Sequence, residues 1–137
     1  MRKETSAGAV TFILRDGMIL YLLLKHVNGH WGFPKGRVEG TESLVQAAKR
    51  EIREETGSDK FEFSEAKRWK IKYSYGNVRK EATYYLARMF NDKIIISDEH
   101  TGHGLFELRD ALSKLEFKNI RGVLAKADRF ISGKVKA

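Results

Sequence analysis

Four glutamates, Glu42, Glu51, Glu54 and Glu55, lie in the run GRVEGTESLVQAAKREIREETGS between Gly36 and Ser58. They are the residues of this chain whose type and spacing are best suited to chemistry. Carboxylate oxygens are hard ligands, which suit Mg²⁺ or Mn²⁺ rather than zinc. A helix turns about 100° per residue, so Glu51, Glu54 and Glu55 would fall within an arc of roughly 100°. Three carboxylates that close repel one another unless a cation stands among them.

The element that must position them is a helix of about three turns. Leu44, Ala48 and Ile52 recur every fourth residue as an apolar stripe that Val45 widens. In that phase Glu55 projects between Leu44 and Ala48, and Glu51 lies beside them. Gln46, Lys49, Arg50 and Arg53 take the solvated arc. The acidic cluster therefore belongs on the rim of the buried face. Ser43 and Gln46 form a capping box and Gly57 follows the last turn, which predicts a helix from Ser43 to Thr56. Glu42, at the helix start, favours the positive end of the dipole and reads as structural. Before the helix, Pro34, Lys35 and Gly36 form a loop in which glycine lets the backbone approach a ligand, with a carbonyl free to face a cation. A solvated helix in which Arg50 pairs with Glu54 is the plainer alternative. The rim position of the glutamates argues against it.

In full, the pattern is Gly36, five residues, Glu42, seven residues, Arg50-Glu51, Ile52, one residue, Glu54-Glu55, one residue, Gly57. This resembles the Nudix box, the signature of hydrolases that cleave a nucleoside diphosphate linked to another group. Ser58 stands where the box usually has an apolar residue. The resemblance implies an α+β fold, an α/β/α sandwich with a mixed sheet and a catalytic loop-helix-loop at residues 36–58. It implies Glu51 and Glu55 as metal ligands, Glu54 as ligand or general base, and Arg50 as part of the catalytic set. Such cations would neutralise a pyrophosphate and activate a water for in-line attack on phosphorus.

The chain of 137 residues is expected to be one domain spanning 1–137, long enough to bury a core unaided. It has no cysteine, which excludes disulfides and thiolate metal sites and is compatible with a reducing cytoplasm. The N-terminus lacks the apolar run of a signal peptide, and the most apolar stretch, Met18 to Leu24, is too short to span a bilayer. A net charge of +8 favours polyanions, nucleotide or nucleic acid alike. Ser6 to Leu14 and Met18 to His26 read as strands joined at Arg15-Asp16-Gly17. Trp69 to Tyr75 and Val78 to Phe90 read as a second hairpin around Gly76-Asn77. Ile94 to Ser97 and Leu105 to Leu108 are shorter strand candidates. Arg109 to Leu115 and Phe117 to Ile131 read as helices, the second with an apolar stripe of Ile120, Val123, Leu124, Ala127, Phe130 and Ile131. A mixed sheet with helices on its faces is expected.

Strand alternation puts Lys80 and Tyr84 on one face, where the cation could meet a phosphate while the ring stacks on a base. A core tyrosine beside a solvated lysine is the alternative. The stretches SAGAV, WGFPKGRVE, KEATYYLA and SDEH, together with the box, are similar to the asymmetrical diadenosine tetraphosphate hydrolases. In this branch of the superfamily the substrate is split into ATP and AMP. Gly40-Thr41 stands where relatives often have Pro-Gly. That resemblance implies Tyr84 on an adenine, Lys35 and Lys80 on phosphates, Glu99 as a further carboxylate brought to the metal cluster from a loop, and Gly36 among the metal-site residues. It implies Mg²⁺, with Mn²⁺ as substitute, in a cytoplasmic monomer acting on a small-molecule nucleotide, with no membrane and with nucleic acid the lesser partner.

The four histidines stand in four sequence contexts, with no cysteine beside them to complete a thiolate zinc site. His30, beside Trp31, and His100, after Glu99, are the candidates for a phosphate contact. Capped or triphosphorylated RNA ends, inositol pyrophosphates and damaged nucleoside triphosphates are alternative substrates. A non-catalytic nucleotide- or RNA-binding module is the alternative of another class. Such a module would be expected to lose box glutamates, and this chain keeps all four.

Overall fold

Two hairpins supply most of the sheet in this computed structural model, which describes residues 2–135. The first joins β1 (Arg2–Arg15) to β2 (Met18–His26). Its turn residues Asp16 and Gly17 both have positive φ, the conformation that a tight two-residue hairpin turn requires. The second joins β5 (Phe61–Tyr75) to β6 (Val78–Met89). Short strands β3 (Trp31–Gly32) and β4 (Lys35–Arg37) and a later β7 (His100–Phe106) complete seven strands. The path runs β3-β2-β1-β6-β5, with β4 added to β1 and β7 to β2. The sheet is mixed because β1 and β6 run parallel from Arg2↔Val78 to Phe12↔Arg88.

Alternation along β1 and β6 sends side chains into two apolar layers. Val10, Phe12, Ala82, Tyr84 and Leu86 face α2 (Leu108–Lys114) and α3 (Lys118–Val135). Ala7, Ala9, Tyr85, Ala87 and Met89 face α1 (Leu44–Thr56). The result is the expected α/β/α sandwich. The α3 stripe is buried as expected at Ile120, Val123, Leu124, Ala127 and Ile131, while Phe130 is half-buried at its edge. Among the described residues no helix is long and apolar enough to cross a membrane.

Two of the strand expectations are corrected. Ile94 to Ser97 is not a strand: Ile94 and Ile96 pack on the α1 layer, and Ile95 donates its N–H to the Thr56 carbonyl at 2.9 Å, so the segment straps the end of α1. Strand β7 begins at His100 and ends at Phe106, and Leu108 already opens α2.

One polar contact ties α3 to the sheet. The Tyr21 hydroxyl, fully buried on β2, donates to Asp128 at 2.6 Å. Asp128→Ala is expected to destabilise the fold by about 1–3 kcal/mol in denaturant unfolding, because it strands a buried donor. Tyr21→Phe should cost less, since Asp128 can still turn to water. Equal stability of wild type and Asp128→Ala would show that the contact contributes nothing.

Candidate active site

Helix α1 forms almost where its sequence signals place it. Ser43 caps it with both bonds of the capping box, and Gly57 closes it in the left-handed conformation (φ 70°). The Ser58 departure has a local reason. Ser58 is buried, takes a bond from its N–H to Thr56 Oγ1, and accepts the Lys60 N–H on its own hydroxyl. Polar chain-turning there replaces an apolar plug. Gly40, with φ of 52°, makes the preceding turn, and Glu42 accepts the Glu39 N–H across it.

Glu51 and Glu55 lie on the buried edge of α1, 8% and 4% exposed. Their carboxyl groups are hydrogen-bonded to each other, and desolvation raises the pKa of both, with the charge of Glu51 adding to the rise at Glu55. A buried acid pair of this kind shares a proton until a cation arrives. The Lys35 backbone N–H donates to Glu55 at 3.2 Å, and burial holds the Lys35 ammonium below its ordinary pKa. Gly36 passes so close that a Cβ there would stand 2.1 Å from Glu51 Oε1.

Arg50 departs from the solvated arc expected of it. Its side chain is 22% exposed and folds back among acceptors that outweigh water. It grips Glu42 through Nε (2.7 Å) and Nη2 (3.1 Å), Glu51 through Nη1 (2.8 Å), Glu54 through Nη1 (3.1 Å) and the Arg37 carbonyl through Nη2 (2.9 Å). The pairing of Arg50 with Glu54 is thus real but is one arm of a hub. The hydrogen bonds from Arg50 hold Glu42 below the usual carboxylate range, which fits its structural role. Glu54 stands outside the buried pair and is largely exposed.

A cavity of about 750 Å³ opens beside this cluster, within the size range of small-molecule sites. Glu55, Glu99, His100 and Lys35 line one part, and Lys80, Tyr73, Tyr75, Tyr84, Trp31 and Phe117 line others. Glu4 sits within 3.7 Å of the Lys80 ammonium. His30 is at the rim, 3.1 Å from Glu116 through Nδ1, with its ring against Phe117. Tyr84 lines the cavity but is only 3% exposed, packed in the sheet layer that faces α3. The open rings are Tyr75 and Phe117, 76% and 57% exposed. Alternation favoured Tyr84 because it sits mid-strand. The pull of Tyr75 and Phe117 to the cavity depends on loop paths that periodicity does not report.

His100 lies deeper than its sequence context suggests. Its Nδ1 bonds the Ser97 hydroxyl at 3.0 Å and its Nε2 stands 3.8 Å from Glu55. Burial lowers its pKa, with His26 adding to the effect. Among the described residues no three acidic or histidine side chains converge into a closed metal cage as they stand. Arg50 instead compensates Glu51 and Glu54, while Glu55 is left with an acid neighbour and no guanidinium. Two buried carboxylates with all-oxygen chemistry and an unmet negative charge suit a hard divalent cation.

The fold and this loop-helix-loop define a class. The NUDIX domain matches residues 4–127, and the chain belongs to that family. Its similarity extends to particular members. It is 34% identical over 119 residues to the asymmetrical bis(5'-nucleosyl)-tetraphosphatase of Sus scrofa, covering 82% of this chain and 81% of that protein. It is 32% identical over 133 residues to the enzyme of the same name from Caenorhabditis elegans, covering 93% and 96%. A crystal structure of a C. elegans Ap4A hydrolase binary complex aligns with a TM-score of 0.90 at 30% identity, covering 95% of this chain and 98% of that one.

Proposed function

We propose that this chain is a divalent-cation-dependent hydrolase of dinucleoside polyphosphates that converts diadenosine tetraphosphate and water to ATP and AMP. The observation that carries this reading is one cavity that brings open aromatic rings and two lysines to Glu55, the member of the buried carboxylate pair that lines it, and to Glu99. An aromatic end suits a nucleobase, cations suit a phosphate chain, and carboxylates suit the cation that chain requires.

Glu51 and Glu55, with Gly36 beside them and Glu54 and Glu99 extending the carboxylate set, would hold Mg²⁺, or Mn²⁺ in its place. When bound, such a cation neutralises phosphate charge and lowers the pKa of a coordinated water. Lys35 and Lys80, which line the cavity, take phosphate oxygens. Arg50 orients Glu51 and Glu54, which fixes the cluster before substrate arrives. Glu54, the carboxylate open to solvent, accepts the proton of the attacking water. The P–O–P bond then breaks, and the displaced oxygen leaves as the end of the product nucleotide. The base stacks on Tyr75 and Phe117, the rings that present open surface, with Tyr84 as the floor beneath and His30 at the rim. The protein works as a cytoplasmic monomer on a small-molecule nucleotide.

Incubating the protein with Mg²⁺ and diadenosine tetraphosphate is expected to give ATP and AMP in equal amounts. Two molecules of ADP, or no turnover across a panel of dinucleoside polyphosphates, would overturn the assignment.

A further inference from the structure

Helix α3 runs 18 residues from the cavity mouth, where Asn119 and Ile120 line the wall, to Val135 at its far end. It carries Lys118, Arg121, Lys126, Arg129 and Lys134 against one carboxylate, Asp128. That carboxylate is already engaged by Tyr21 and Ser132. All five cations are exposed. Lys118, Arg121, Lys126 and Arg129 share an arc of about 140° on the helix in a row about 16 Å long, and Lys134 extends the basic surface beyond the edge of that arc, beside Phe130.

Outside α3, Arg2, Lys3, Arg15, Arg37, Arg50, Lys70 and Lys80 each stand against a carboxylate, while cations such as Arg68, Lys72 and Arg79 form no ion pair among the described residues. None of the five on α3 forms an ion pair among the described residues. Strand β5 adds a further cation to the patch, because the Lys67 ammonium lies 5.8 Å from the centre of the Phe130 ring, and Lys134 lies 5.1 Å from the same ring. Phe130 is half-buried, so an aromatic surface is set among cations.

We infer that the α3 face, with Lys67, is a docking surface for the phosphodiester backbone of single-stranded nucleic acid, separate from the hydrolytic cavity. Uncompensated cations in a row attract a polyanion by counterion release, and an aromatic among them gives an unpaired base a platform. Between Lys118 and Gly133 the other solvent-facing positions are Asn119, Gly122, Ala125, Ser132 and Gly133. These small residues let a backbone approach closely. Phe130 apart, this stretch offers no apolar row to insert into lipid, which a membrane-binding amphipathic helix needs. RNA and DNA bind alike, because the contacts are to phosphates and one stacked base.

The test uses fluorescence anisotropy of the full chain with a labelled 20-nucleotide single strand, as RNA and as DNA, each bearing a 5'-hydroxyl so that no terminal phosphate engages the cavity. Binding is expected to weaken with salt with a log-log slope near 3, for about four phosphate contacts. Reversing Lys126, Arg129 and Lys134 to glutamate should weaken it at least tenfold and flatten the slope. Circular dichroism and hydrolysis rate should stay unchanged, since none of the three lines the cavity or forms an ion pair, and the contact of Lys134 with Phe130 lies at the surface. No measurable binding at low salt, or binding that the triple reversal leaves intact, would overturn the proposal. So would capture by phosphatidylserine vesicles in preference to the oligonucleotides.

Discussion

Glu55→Gln should abolish most catalysis, lowering kcat on the order of 10³-fold, while making the cation-free protein more stable. Both effects follow from the same burial. Glutamine keeps a carbonyl oxygen to accept the Lys35 N–H, and its amide can donate to Glu51, where wild type has a second acid. It cannot supply the charge that a hard cation needs. The pH dependence carries a definite sign. Glu55 and Glu51 have folded-state pKa values raised by burial, so their contribution to stability is fully present below the ordinary carboxylate pKa and is lost as pH rises through the raised values. Cation-free wild type should therefore lose stability from mildly acidic toward alkaline pH. Glu55→Gln should flatten that slope and melt higher by roughly a few degrees near neutral pH. A divalent cation should reverse the slope in wild type alone and release protons on binding. Thermal melts across pH, with and without Mg²⁺, read all of this. A variant that melts lower than wild type at every pH would show that the acid pair is not a source of strain.

Local signals made α1 readable because everything that forms it lies within the segment: an apolar stripe, a capping box and a terminal glycine. The two hairpins were legible for the same reason. What stayed out of view depends on partners distant in sequence. The parallel pairing of β1 with β6 joins residues more than seventy positions apart. The two-residue β3 and three-residue β4 exist because β2 and β1 offer them edges. In β7, the run His-Thr-Gly-His-Gly has two glycines and a single β-branched residue, a weak strand signal, yet β2 pairs with it. Ile94 to Ile96 had strand composition but is needed as a strap over α1. In the site, the glutamate cluster was evident from spacing, whereas the inward fold of Arg50 was not. Helix phase assigns a direction to Cβ, and a long guanidinium stem can reverse it when five acceptors lie on the other side.

Gly36→Ala is expected to be strongly damaging to activity, because two rigid elements meet there at the carboxylate cluster. The added Cβ would stand 2.1 Å from Oε1, 2.2 Å from Cδ and 2.6 Å from Oε2 of Glu51, so the whole carboxyl group lies in its way. Strand β4 cannot retreat without breaking its pairing to β1 at Ala7↔Gly36. Helix α1 cannot retreat either, since Ala47, Ala48 and Ile52 beside Glu51 are fully buried. The Glu51 side chain must swing away, giving up its bonds to Arg50 and Glu55 and with them the preformed cluster. Activity should fall about a hundredfold or more and stability by about 1–3 kcal/mol. Adding Glu51→Ala to Gly36→Ala separates the causes. If the clash is the reason, removing the carboxyl group restores much of the lost stability and none of the activity, giving a favourable coupling in a double-mutant cycle. Additive losses in that cycle would mean that Gly36 acts through its own backbone and not through the side chain it faces.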